Sequence, residues 1–180
     1  MTVSRIVIAD AGPLIALARL DRLELLRALF DEVALADAVA REVLEGGDFA
    51  DAERVRPAIA QGWLRVQAVS FEANDPLEFG LTGLGAGEIE SILWAMQLRG
   101  AGIATLLLLD DFRAREAARR VQLEILGVAG VLAVARRAGL VDAISPLLDS
   151  LVADGYFLSP AVIQSALRLA GEDRADHPTR

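Results

Sequence analysis

Five carboxylates sit where the apolar pattern of this sequence places reacting groups. Asp10 ends the run Ile6-Val7-Ile8-Ala9, and Asp110-Asp111 end a second run that starts at Thr105. Glu42 lies near the C-terminal end of one helical pattern, where an acid opposes the helix dipole. Glu88 lies in the first turns of another, behind Leu84-Gly85-Ala86-Gly87. Carboxylates gathered in one pocket repel, and their pKa values rise unless a cation offsets them. Oxygen ligands suit a hard divalent cation, Mg²⁺ or Mn²⁺. Such a site activates a water and stabilises charge on a phosphoryl group.

Other hydrolytic chemistries lack their residues. The chain has no Cys and no Lys, since all 18 basic residues are Arg. Thiolate nucleophiles, thiolate zinc sites, Schiff bases and a phosphate-clamping Lys are therefore excluded. The single His, His177, lies in a polar C-terminal stretch, GEDRADHPTR, a poor setting for a triad. Gly83-Leu84-Gly85-Ala86-Gly87 does not follow a strand of a βαβ unit, so a dinucleotide site is a weak reading. Two of the five acids have a purely local alternative. Glu88 suits a helix N-terminus electrostatically, and Asp111 suits an N-cap.

The elements that must position these acids follow from periodicity. Strands are expected at residues 6–9, 32–35, 63–69, 105–109 and 123–126, the fourth fully apolar as in a central parallel strand. Helices are expected at 13–19, 22–30 (capped by Asp21), 38–45 (capped by Asp37), 51–61, 84–98, 112–121, 127–138, 145–153 and 160–170. Residues 71–83 form a polar Pro- and Gly-containing connection, expected as the mobile loop. Alternating strands and helices predict an α/β class domain. Its architecture is three-layer α/β/α around a mainly parallel sheet of four to five strands, with helices added at the C-terminus. The expected division is an α/β domain over 1–139, a helical extension over 140–170 packed on it, and a flexible tail over 171–180.

At 180 residues the chain is long enough to bury roughly 70% of its unfolded surface. Its apolar runs are too short for the ~20 residues of a membrane span, and the N-terminus does not read as a signal peptide. A cytoplasmic protein without a membrane association is expected. The net charge of −8 disfavours nucleic-acid binding by the whole surface but permits an Arg-lined groove beside an acidic pocket.

The stretches VIADAGPLIALARLDRLELL, Val39-Ala40-Arg41-Glu42-Val43, LGAGEIESILWA and LLLLDDFRAREAARR together resemble a PIN domain, in order and spacing over about the whole chain. The stretch from Gly130 onward is similar to PIN-like proteins with a C-terminal helical extension, loosely grouped with VapC-type toxins. The resemblance implies a metal-dependent endoribonuclease, a toxin of a toxin–antitoxin pair. It implies a catalytic quartet of Asp10, Glu42, Glu88 and Asp110, with Asp111 competing for the last place. Asp10, Glu88, Asp110 and Asp111 are the implied ligands of Mg²⁺ or Mn²⁺. Single-stranded or structured RNA, a cognate antitoxin protein and a second copy of the chain, as a homodimer, are the implied partners. Arg113 and Arg115, with Arg119 and Arg120, could contact RNA phosphates, or could pair with Glu116 and Glu124 on a solvated helix face. Trp63 and Trp94 could stack bases or fill the core. The sequence departs from the family pattern in three places. Ala11-Gly12 follows Asp10 where many PIN proteins carry a hydroxyl or Asn pair, Ala36 replaces a frequent Pro, and Val128 a frequent Thr. The alternative these departures support is a non-catalytic PIN-like module with a vestigial acidic pocket.

Overall fold

A computed structural model describes residues 5–46 and 49–172. His177 and most of the expected tail lie outside the described residues. The chain divides into two compact units, Met1–Gly127 and Val128–Arg180. In this division the helix expected at 127–138 groups with the later helices.

The first unit is a five-stranded parallel sheet flanked by helices, a three-layer α/β/α fold. Its strands are β1 (Ile6–Ala9), β2 (Glu32–Ala36), β3 (Leu64–Gln67), β4 (Thr105–Leu108) and β5 (Ile125–Leu126). Their order in the sheet is β3-β2-β1-β4-β5. Buried on both faces, β1 and β4 are continuous apolar runs, as parallel strands must be when helices cover both sides. The order reverses at β1, whose neighbours are β2 on one side and β4 on the other. The crevice beyond the carboxyl ends of β1 and β4 is thus the topological switch point, where open α/β sheets bind ligands.

Helices α1 (Ala11–Arg19), α2 (Glu24–Leu29), α3 (Asp37–Arg41), α4 (Phe49–Ala60), α5 (Asp75–Glu78), α6 (Ala86–Gly100) and α7 (Phe112–Arg120) connect the strands. A π-helical turn, Glu42–Gly46, continues α3. Two expected caps are corrected. Asp21 adopts φ 55 in the turn before α2, whose N-cap is Leu23, and α3 is preceded by Ala36, so that Asp37 is its first residue. The connection 71–83 contains α5, and Arg120 Nη2 donates to Gly80 O at 3.1 Å. Trp94 is buried in the core between α6 and the sheet; Trp63 is half-buried at the start of β3.

In the second unit α8 (Val128–Arg137) and α10 (Pro160–Ala170) pack together, with α9 (Ser145–Ala153) between them in sequence. Glu172 accepts hydrogen bonds from Ile144 N and Ser145 N, satisfying amides at the start of α9. Gly171 takes the left-handed conformation that stops α10, φ 73. Among the described residues, no helix is long and apolar enough to cross a membrane.

Candidate active site

Asp10 is the floor of the site. It is the N-cap of α1, extended at φ −83 and ψ 165, and its backbone N donates to Leu108 O at 3.0 Å. Its side chain is 7% exposed, and its Oδ1 is buried without a hydrogen-bond partner among the described residues. Burial, then the charges of Glu88 and Glu42, push its carboxyl from an ordinary 3.8 up to about 7. The backbone N–H groups of Ala11 and Gly12 act the other way by favouring the anion.

Glu88 reaches the site from the first turn of α6. This helix runs back along the sheet, so its N-terminus lies at the carboxyl end of the strands. Oε2 of Glu88 accepts from Gly85 N at 2.8 Å, the return half of a capping box whose other half a glycine cannot supply. The local helix-start reading of Glu88 is therefore correct. It does not exhaust a carboxylate, which has two oxygens and about four acceptor positions. Burial raises its pKa, as do the charges of Asp111 and Glu42, while Gly85 N–H and Arg113 lower it.

Glu42 is exposed and opens the π-helical turn after α3. It stands against α6 because position 87 is glycine. A Cβ there would meet Val39 Cγ2 at 2.9 Å and Glu42 Oε2 at 3.3 Å. An acid at the end of a short helix thus comes beside an acid at the start of a long one, through a backbone approach that a side chain would block.

The adjacent aspartates after β4 part company. Asp111 is exposed, and its Oδ1 accepts from Ala114 N at 2.9 Å as the N-cap of α7. Its charge is felt at Glu88. Asp110 is directed at Gly127, where an added Cβ would overlap its Oδ1 and stand 3.1 Å from Arg115 Nη1. Ala9 pairs with Leu108 and both strands end there, so Asp10 and the Asp110-Asp111 pair lie in the connections just past the carboxyl ends of β1 and β4.

The arginines divide in the same way. Arg115 is turned inward: Nη1 donates to Leu109 O at 2.7 Å. Burial draws its pKa down, with Asp110 opposing and Arg119 adding to the fall. Arg113 is exposed at the rim, its Nη2 lying 3.0 Å from where a Cβ on Gly83 would be. Sequence reasoning missed Glu90. Its Oε2 accepts from Ala38 N at 2.9 Å, bonding α6 to the first turn of α3. The signal was available only as an acid two residues past Glu88, which periodicity alone leaves without a partner.

The donor set fits a hard cation. It consists of carboxylate oxygens, one of them orphaned and buried, and burial, with the neighbouring acids adding to it, raises the pKa of Asp10 and of Glu88. Among the described residues, no group of three or more acids is close enough to hold a metal ion directly. Mg²⁺ does not require that, because it retains several waters and binds through one or two carboxylates.

The sequence profile of the PIN domain matches residues 6–172. No curated protein matches the chain. PIN domains have a nuclease-type fold, are commonly nucleases and generally use divalent metals. The parallel β3-β2-β1-β4-β5 sheet, the acids at its switch point and a profile match over nearly the whole length lead to one assignment: the chain belongs to the PIN domain family.

Proposed function

We propose that this protein is a Mg²⁺- or Mn²⁺-dependent endoribonuclease, acting as the toxin of a toxin–antitoxin pair. The observation that carries this reading is Asp10: a buried carboxylate with an unpartnered oxygen, facing Glu88 and Glu42 rather than a basic side chain. Asp10 and Glu88 would hold the cation, with Asp111 completing the set through water. The family resemblance implies Asp110 as the fourth acid, with Asp111 competing. Its place against Gly127 and Arg115 favours a supporting role, and Asp111 inherits the position facing Glu88. When bound, the cation supplies positive charge for a phosphate oxygen and lowers the pKa of an adjacent water. Exposed Glu42 would accept a proton, and Arg113 would donate to a flanking RNA phosphate. Arg115, bonded to Leu109 O, orders the end of β4 instead.

A homodimer and an antitoxin belong to the same reading. Phe157, Val152, Val162 and Leu169 of the second unit are exposed and suit an apolar partner surface. The non-catalytic alternative draws on one observation, the spread of the acids beyond direct shared ligation. Cleavage of a labelled single-stranded RNA with Mn²⁺ decides between them. The nuclease reading expects cleavage by the parent chain and none by a folded Asp10→Asn variant. Equal cleavage by both, or by neither, contradicts it.

A further inference from the structure

Glu42 owes its place to a helix that cannot hold itself. Only five residues long, α3 is far below the length at which a helix is stable alone, and a π-helical turn follows it. Its first-turn amides need acceptors, and the N-cap residue, Ala36, has no side-chain oxygen to offer. The acceptor comes from another helix. Glu90 on α6 is 15% exposed, and its Oε2 takes the Ala38 N–H at 2.9 Å. Its other oxygen lies 3.8 Å from Arg41 Nη2, a looser contact to a more exposed side chain. The second tether between the two helices is steric, the close approach of Gly87 to Val39 and Glu42.

We propose that Glu90 is a positioning residue for the acid site: by capping α3 from α6, it fixes Glu42 against Glu88. Glu90 touches neither cation nor substrate. It acts through the α3 backbone, and what it needs is an acceptor oxygen, with its charge strengthening the bond. The inference deepens the cation-site reading and rests on it for its functional consequence, although the tether itself does not.

The test uses the absence of Cys from the chain. Spin labels on Glu45→Cys and Gln97→Cys, both exposed positions, report the separation of the two helices. The double-labelled parent is compared with Glu90→Gln, which keeps an acceptor oxygen, and with Glu90→Ala, which does not. Mn²⁺ affinity of the unlabelled variants is measured by calorimetry. The expected result is a narrow distance distribution for the parent and Glu90→Gln, with Mn²⁺ Kd values within about twofold of each other. For Glu90→Ala the distribution broadens and Kd rises clearly beyond that twofold spread, as the charge of Glu42 is no longer held beside Glu88. A narrow distribution and parent-like Kd for Glu90→Ala overturn the proposal, as does Glu90→Gln behaving like Glu90→Ala. If the parent binds no Mn²⁺ while Glu90→Ala still broadens, the tether stands and the cation-site reading fails. Should Glu90→Ala not fold, Ala38→Pro removes the donor in a first turn that tolerates Pro, and the same loosening is expected. An unchanged distribution there overturns the tether.

Discussion

Asp51, 3% exposed, receives three hydrogen bonds from Arg19, from Nε at 3.0 and 3.2 Å and from Nη2 at 2.7 Å, and Arg54 lies 3.6 Å away. Asp10, 7% exposed, faces Glu88 and Glu42 and keeps a buried oxygen unbonded. Both are buried aspartates in one α/β unit, and their pKa values move in opposite directions. Hydrogen bonding to Arg19 draws Asp51 below 3.8, whereas burial and two neighbouring acids push Asp10 up to about 7. Burial therefore does not mark a functional acid. The sign of the surroundings separates the two: Asp51 has its cation within the chain and straps α4 to the end of α1, and Asp10 is where the proposed reading puts one from outside.

Exchanging the two should break different properties. Asp10→Asn is expected to lower metal-dependent cleavage by more than the ~10–100-fold that losing a supporting partner costs, measured as initial rates on labelled RNA. Its circular dichroism should remain that of the parent. Arg19→Ala should do the reverse. It leaves Asp51 buried beside only the more distant Arg54, so the chain loses about 1–3 kcal/mol, less than a fully buried pair because Arg19 is partly exposed. Cleavage at a temperature where the variant is folded should be unchanged.

The pH dependence of metal-free stability sharpens the contrast. Between pH 3.8 and about 7 folded Asp10 retains a proton that the unfolded chain has lost. Its contribution is therefore fully present below pH 3.8 and disappears as pH rises through 7. Asp51 contributes above pH 3.8 and loses that contribution on acidification below it, because its folded pKa is depressed. Urea midpoints across pH 3–9 should lose the decline that runs from pH 3.8 to about 7 in Asp10→Asn, and the decline on acidification below pH 3.8 in Asp51→Asn.

The smallest effects separate the neighbours after β4. Asp111→Asn keeps a capping oxygen for Ala114 N, so stability should change by less than the ~1 kcal/mol of a lost cap while Mn²⁺ affinity falls. Asp110→Asn should alter stability through its contact with Gly127 and Arg115 and leave Mn²⁺ affinity nearer to the parent's.

Much of this organisation was readable from residues alone. Apolar runs ending in Asp10 and Asp110-Asp111 marked both central strands, and the glycine-rich approach marked the start of the helix that carries Glu88. Register was not readable. That Ala9 pairs with Leu108 brings Asp10 and the Asp110-Asp111 pair to one edge of the sheet, and a parallel pairing formed across 99 residues leaves no local trace. The same limit hid Glu90, whose partner is a backbone amide 52 residues away. It hid the Arg19–Asp51 pair as well, since the partners lie 32 residues apart and Asp51 belongs to no motif. Local capping was legible in kind but not always in place. Asp111 caps α7 as its type suggests, while Asp21 takes φ 55 two residues before the N-cap of α2.

The central claim is that the carboxylates around Asp10 lack a cation that a divalent metal supplies. Calorimetric titration of the metal-free chain with Mn²⁺ at pH 8, where Asp10 is ionised, tests it most directly. The account predicts saturable binding that weakens as pH falls below about 7 and is abolished in Asp10→Asn, with the Asp51→Asn isotherm unchanged. Absence of binding by the folded parent chain, or equal binding by Asp10→Asn, would contradict it.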